Sequence, residues 1–141
     1  MKKLFLLIIS FSFLALSTCD ENSIGSNSEN RNPVILSLTA FPDVVNPNDS
    51  LIVICDAFDP DADTLVYDWY TTGVVKIKGA RDYEHALFNT HENSRIFYAP
   101  DSVYVTAPQD TFWVECAVRD RKGGQVSQII RFIVRQNVEG N

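Results

Sequence analysis

The sequence predicts an all-β fold of two packed antiparallel sheets, on three observations. Between residues 33 and 136 apolar and polar residues alternate with a period near two, in runs of about five to nine residues. Turn formers punctuate those runs: Pro42-Asp43, Asn46-Pro47-Asn48-Asp49, Asp59-Pro60-Asp61 and Lys122-Gly123-Gly124. Beyond the apolar opening segment, no stretch carries convincing helical periodicity. Many short strands joined by such turns bury their apolar faces best by stacking two sheets.

Each run supplies one apolar face. Val34, Leu36 and Leu38 share the first, opposite Ser37 and Thr39. Leu51, Val53 and Cys55 form the second, although Ile52 and Ile54 make the other side of that run apolar too. Leu65, Tyr67 and Trp69 form the third, with Val66, Asp68 and Tyr70 on the opposite parity. Phe112, Val114, Cys116 and Val118 oppose Glu115 and Arg119, and Val126, Ile130, Phe132 and Val134 oppose Ser127, Arg131 and Arg135. The stretch 73–106 is irregular. Arg81 to Asn89 reads as one or two helical turns, and two Ala-Pro steps, Ala99-Pro100 and Ala107-Pro108, compete for the strand before the Cys116 strand.

The opening is of another kind. Lys2 and Lys3 precede Leu4–Leu16, an uncharged run of thirteen residues. As a helix it reaches roughly 20 Å, against a hydrocarbon core of about 30 Å. A basic head, a short apolar run and small residues read as an export signal over 1–18. Leu16-Ser17-Thr18-Cys19 resembles the lipobox of bacterial lipoproteins. That resemblance implies that Cys19 becomes a lipidated N-terminus and anchors the chain in a bacterial cell envelope. An outer membrane or cell surface is expected in preference to the inner membrane. More than one acyl chain makes such an anchor stable. Residues 19–32 then form the lipidated Cys and a flexible spacer rich in Ser, Asn and Glu; 33–136 is one domain, and 137–141 a polar tail.

Charge and cysteines narrow the partners. The formal balance is -6, with no basic patch, and loss of Lys2 and Lys3 makes it two charges more negative. Nucleic acid is not an expected partner. With Cys19 consumed by lipid, Cys55 and Cys116 remain as a pair, both on apolar parity, in a compartment that permits a disulfide. A bridge closing about sixty residues is worth up to roughly 4 kcal/mol on the entropy model.

Cys55, Trp69 and Cys116 resemble the second-strand Cys, third-strand Trp and sixth-strand Cys of an immunoglobulin-like sandwich. The chain is similar to bacterial Ig-like and PKD-type surface modules in four further places: Asp59-Pro60-Asp61-Ala62-Asp63, Tyr67-Asp68-Trp69, Ala107-Pro108, and Val118-Arg119-Asp120-Arg121-Lys122-Gly123-Gly124. Ala62 stands where Gly is common, and Val114 where antibody-type domains place Tyr. The resemblance implies Trp69 packed on a Cys55–Cys116 bridge.

Two surfaces are candidates for binding. Asp56, Asp59, Asp61 and Asp63 fall within eight residues, and in an Ig-like topology Asp120 lies beside them, an oxygen-rich set for calcium. Local capping of backbone N–H groups, with Arg121 and Lys122 as counter-charges, explains the same residues without metal. Tyr70 and Trp113 lie on the parity opposite the core and form a candidate platform for a glycan or protein, unless residues 79–106 fold over them. No nucleophile elbow, phosphate loop or zincin motif occurs, and His85 and His91 read as solvated loop residues. The expectation is a non-catalytic, envelope-anchored module for adhesion or ligand binding. The alternative is a structural accessory subunit of an envelope complex.

Overall fold

The structure is a computed structural model that describes residues 29–81 and 85–136. The signal segment, Cys19, Tyr83 and the 137–141 tail lie outside the described residues. Among the described residues nine strands occur in order: β1 Val34–Phe41, β2 Val44–Val45, β3 Ser50–Phe58, β4 Val66–Thr71, β5 Lys76–Ile77, β6 Ala86–Thr90, β7 Ser94–Tyr98, β8 Gln109–Arg119 and β9 Gln125–Arg135. They form two sheets, β1-β3-β7-β5 and β2-β9-β8-β4-β6, packed as an immunoglobulin-like sandwich. Among the described residues, no helix is long and apolar enough to cross a membrane.

Period-two alternation places the core. Leu51, Val53 and Cys55 of β3 point inward against Val114, Cys116 and Val118 of β8 and Phe132 and Val134 of β9, all buried. Trp69 on β4 is fully buried, opposite Cys116 in the β4–β8 register, with its ring edge-on to Phe97 at 5.8 Å. Its indole N–H donates to Thr90 Oγ1 at 3.1 Å, so the polar atom of the ring is satisfied. Burying a large apolar side chain of this kind contributes roughly 1.5–3 kcal/mol.

The structure departs from the sequence expectations in four places. The pairing is not wholly antiparallel, because β2 runs parallel to β9. In β1 the register shifts between Ile35 and Ser37, so Ile35 and Leu38 face the core and Leu36 is 62% exposed. One extra residue in a bulge reverses the parity of everything before it. Residues 86–89 belong to strand β6, not a helical turn, because they pair with β4. Finally, β4 is buried on both faces: Asp68, on the outer parity, is only 4% exposed. Its carboxylate accepts Arg119 Nε at 2.7 Å, Arg119 Nη2 at 3.0 Å and the Asn89 N–H at 2.7 Å. The edge strand β6 supplies that last donor, which alternation within β4 could not reveal.

Candidate functional sites at the two ends of the sandwich

Strand directions give the sandwich two distinct ends. At one, β3 ends and β4, β1 and β9 begin, so the turns 59–65 and 120–124 meet the incoming chain at Asn30 and Arg31. At the other lie the loops 42–49, 72–75 and 99–108.

Of the five acidic residues expected to converge, the structure gathers three. Asp59, Asp63 and Asp120 bring carboxylate oxygens within 4.8 Å of one another. That spacing is compatible with one calcium, whose ligand oxygens at 2.3–2.6 Å stand at most about 5 Å apart. Asp59 Oδ2 and Asp63 Oδ2 are buried without a hydrogen-bond partner. The other two carboxylates do not join them. Asp56 is on the solvent parity of β3, opposite Ser37. Asp61 instead takes Arg31, accepting from its backbone N–H at 2.8 Å, Nε at 2.8 Å and Nη2 at 2.6 Å.

Counter-charges and backbone donors already serve much of this end. Lys122 Nζ lies 2.6 Å from Asp63 Oδ1. Asp59 Oδ1 accepts the N–H groups of Asp61 and Asp63 at 2.7 and 3.2 Å. Asp120, 3% exposed, accepts Asn30 Nδ2 at 2.7 Å, the Lys122 N–H at 2.7 Å and the Gly124 N–H at 2.9 Å. Burial pushes the Asp120 carboxyl upward, but Asn30 and these backbone donors outweigh it and hold it below the usual range. Gly124 is required here, because a Cβ would stand 2.1 Å from Asp120 Oδ2. Ala62, where the related turns place Gly, adopts φ +60°, the left-handed region that an alanine occupies at a cost of about 1 kcal/mol.

Cys55 and Cys116 face each other from the two sheets, fully buried. Here they are two free thiols in contact. That contact, with burial, pushes the Cys116 thiol far up.

Tyr70 and Trp113 do not form an open platform. Both are half-buried. The Phe88 ring of β6 stands edge-on to Tyr70 at 5.5 Å, and Arg131 lies directly opposite Trp113 in the β8–β9 register. A segment within 79–106 thus covers Tyr70, as one of the two sequence readings expects.

Two exposed tyrosines lie elsewhere. At the end away from Asn30, Tyr98 and Tyr104 line an open pocket of about 480 Å³ with Asn48, Lys76, Pro100 and Asp101. Tyr104 is 54% exposed and its neighbour Val103 74%. Hydrogen bonds hold the walls: Asn48 N–H to Pro100 O at 3.2 Å, Ala99 N–H to Asp49 O at 2.8 Å, and Tyr104 N–H to Asp101 O at 3.0 Å. Asp101 caps the 3₁₀ turn Ser102–Tyr104 by accepting from the Val103 N–H at 3.2 Å. That bond, then the Ser102 hydroxyl, hold its carboxyl below the usual range. This pocket joins three separate segments, so sequence spacing did not show it; the signal available was two turn motifs, Pro47-Asn48-Asp49 and Ala99-Pro100-Asp101, the second flanked by Tyr98 and Tyr104.

No family model matches the chain, and no curated protein matches it. Among solved structures it is similar to a nucleoside hydrolase-related hypothetical protein from Saccharophagus degradans, at 16% identity and TM-score 0.44, over 77% of this chain and 26% of that one. It is also similar to a conjugative transposon lipoprotein from Bacteroides eggerthii DSM 20697, at 13% identity and TM-score 0.44, over 72% of this chain and 94% of that one. The chain thus spans about a quarter of the length of the first of these. At such identities and scores neither likeness carries a functional argument.

Proposed function

We propose that this chain is a non-catalytic lipoprotein of the cell envelope, tethered through lipid on Cys19, that presents one immunoglobulin-like module to a ligand. The sequence supplies the anchor, in Lys2-Lys3, the run Leu4–Leu16 and Leu16-Ser17-Thr18-Cys19. One structural observation supports the presentation: Asn30 and Arg31 are pinned to Asp120 and Asp61 at the acidic end. From Cys19 to Asn30 the chain spans at most roughly 40 Å when extended. A lipid on Cys19 therefore keeps the acidic end near the bilayer and turns the 99–108 loops outward.

Mass spectrometry of protein extracted from membranes tests the anchor. The expected N-terminus is Cys19 carrying diacylglycerol; a soluble species with an unmodified Cys19 thiol refutes it. A second reading, an accessory subunit of an envelope complex, is favoured by the outer face of the β1-β3-β7 sheet. There Phe41 is 76% exposed, and Ile54 and Phe58 are exposed as well. Apolar faces of this kind mark protein contacts. Stoichiometric recovery of one envelope protein with the native chain, lost in Phe41→Ser, would select that reading.

A further inference from the structure

We propose that the groove at the end of the sandwich away from Asn30 binds a neutral saccharide chain, through stacking on Tyr98 and Tyr104. This deepens the ligand-presenting reading above by naming the class of ligand.

The shape suits a small ligand. The pocket of about 480 Å³ lies within the range of about 300–1,000 Å³ typical of small-ligand sites. Beside it lies a smaller recess of about 150 Å³, lined by the same Val74, Lys76 and Tyr104 together with His85. His85 rests against Gly73, where a Cβ would lie 3.6 Å from its Nε2. Their linings run from Tyr98 at the end of β7 to His85 just before β6.

The chemistry of the walls selects the ligand. A pyranose offers an apolar C–H face and a rim of hydroxyls that both donate and accept. Tyr98 and Tyr104 offer amphipathic ring faces, rigid and with few torsions to freeze. Asn48 brings an amide, Lys76 an ammonium donor and Asp101 a carboxylate acceptor to the same pocket. Lys76 and Asp101 oppose each other in sign, so the groove has no net charge to favour an anionic or cationic ligand. The walls are also set in advance. Asn48 donates its backbone N–H to Pro100 O, Asp101 accepts from the Val103 N–H and the Ser102 hydroxyl, and Pro100 is fully buried. Little ordering is then required on binding.

A peptide suits the groove less well. Strand addition needs an edge that offers a row of main-chain groups. The sheet edge bordering this groove is β5, which has two residues, Lys76 and Ile77.

The test uses the full chain in a detergent without a sugar headgroup, titrated calorimetrically with maltohexaose, cellohexaose, xylohexaose and mannohexaose. At least one is expected to bind with a dissociation constant on the order of 0.1–1 mM, as a few stacked rings and hydrogen bonds provide. Tyr104→Ala and Tyr98→Ala should each weaken it about tenfold, while Leu36→Ala, toward the opposite end and 62% exposed, leaves it unchanged. Tyr104 is half exposed, so its variant should melt within about 2 °C of the parent. Absence of binding to all four sugars, or binding indifferent to both tyrosine variants, overturns the proposal. So does photo-crosslinking from position 104 to an envelope protein by a chain that binds none of the sugars. Mass spectrometry of Cys19 on the same preparation reads the anchor separately, so either result can fail alone.

Discussion

The two ends of the sandwich handle polar groups in opposite ways. At the acidic end, carboxylates are turned inward and answered from within the chain: Asp61 by Arg31, Asp63 by Lys122, Asp120 by Asn30 and the backbone N–H groups of its own turn. At the other end, hydrogen bonds close behind the surface and leave Tyr98, Val103 and Tyr104 exposed. Carboxylates answered from within the chain, Asp59 Oδ2 and Asp63 Oδ2 excepted, make a seam, whereas a hydrogen-bonded wall with exposed rings makes a contact surface. The contrast assigns the first end to structure and the second to recognition.

The largest expected effect treats both ends alike. Cys55 and Cys116 join the two sheets at mid-sandwich, already in contact. In an oxidising compartment we expect a disulfide, detected as loss of two hydrogens in the intact mass. Reducing it should lower stability by up to roughly 4 kcal/mol, because the bond closes a loop of about sixty residues in the unfolded chain. Both cysteines are fully buried, so a thiol reagent reaches neither in the folded state. The reduced folded protein should therefore resist alkylation until unfolded. Rapid alkylation of either cysteine in the native chain would contradict this.

The pair also shows what was legible. Cys55, Trp69 and Cys116 each follow apolar residues of the same parity on their strands, so alternation alone oriented them. Alternation misled at Leu36, because a bulge adds a residue that no local pattern marks. It misled at Asp68, because β6, reached only after a long excursion of the chain, covers it. Among the acidic residues, the turn chemistry was readable but the partition was not: Arg31, thirty residues before Asp61 and in the expected spacer, takes that carboxylate out of the cluster. The saccharide groove was illegible for the same reason, being assembled from residues that only folding brings together.

Next in size is Asp120→Ala. It strips acceptors from Asn30, from the Lys122 N–H and from the Gly124 N–H, the last of which is buried. An unsatisfied buried donor is among the few causes of large single-site losses. A fall in melting temperature on the order of 5 °C is expected. Hydrogen exchange should rise at 120–124 and leave 99–105 unchanged. Equal loosening of both ends would erase the contrast.

A smaller effect sharpens the chemistry of the acidic end. Lys122→Ala leaves Asp59, Asp63 and Asp120 without the ammonium that stands 2.6 Å from Asp63. The variant should melt a few degrees lower at low salt. About 1 mM calcium should restore part of the loss, because an ion bound only by the folded state stabilises it. The parent, with Lys122 in place, should respond no more than an ionic-strength control. A full calcium response in the parent would mean that metal displaces Lys122; no response in the variant would mean that the three carboxylates do not hold calcium.

The smallest effect separates the ends by what holds one carboxylate in each. Asp61 and Asp101 are both held below their ordinary value of 3.8, Asp61 first by the Arg31 side chain, Asp101 first by the Val103 N–H. A carboxyl depressed in the folded state binds its proton more readily when unfolded. Its contribution to stability is therefore present above about pH 4 and is lost as the pH falls through the depressed folded value. Both Asp61→Asn and Asp101→Asn should flatten the acid limb of melting temperature against pH. Salt should tell them apart. The Arg31–Asp61 pair is exposed and is screened when the Debye length shrinks from about 10 Å at 0.1 M to about 3 Å at 1 M. The bonds to Asp101 come from an N–H and hydroxyl and amide groups that carry no net charge, so screening acts on them weakly. In 1 M NaCl the Asp61→Asn difference should mostly vanish and the Asp101→Asn difference should persist. If salt removes both equally, then the groove end is held by long-range charge as the acidic end is, and the contrast between the ends fails.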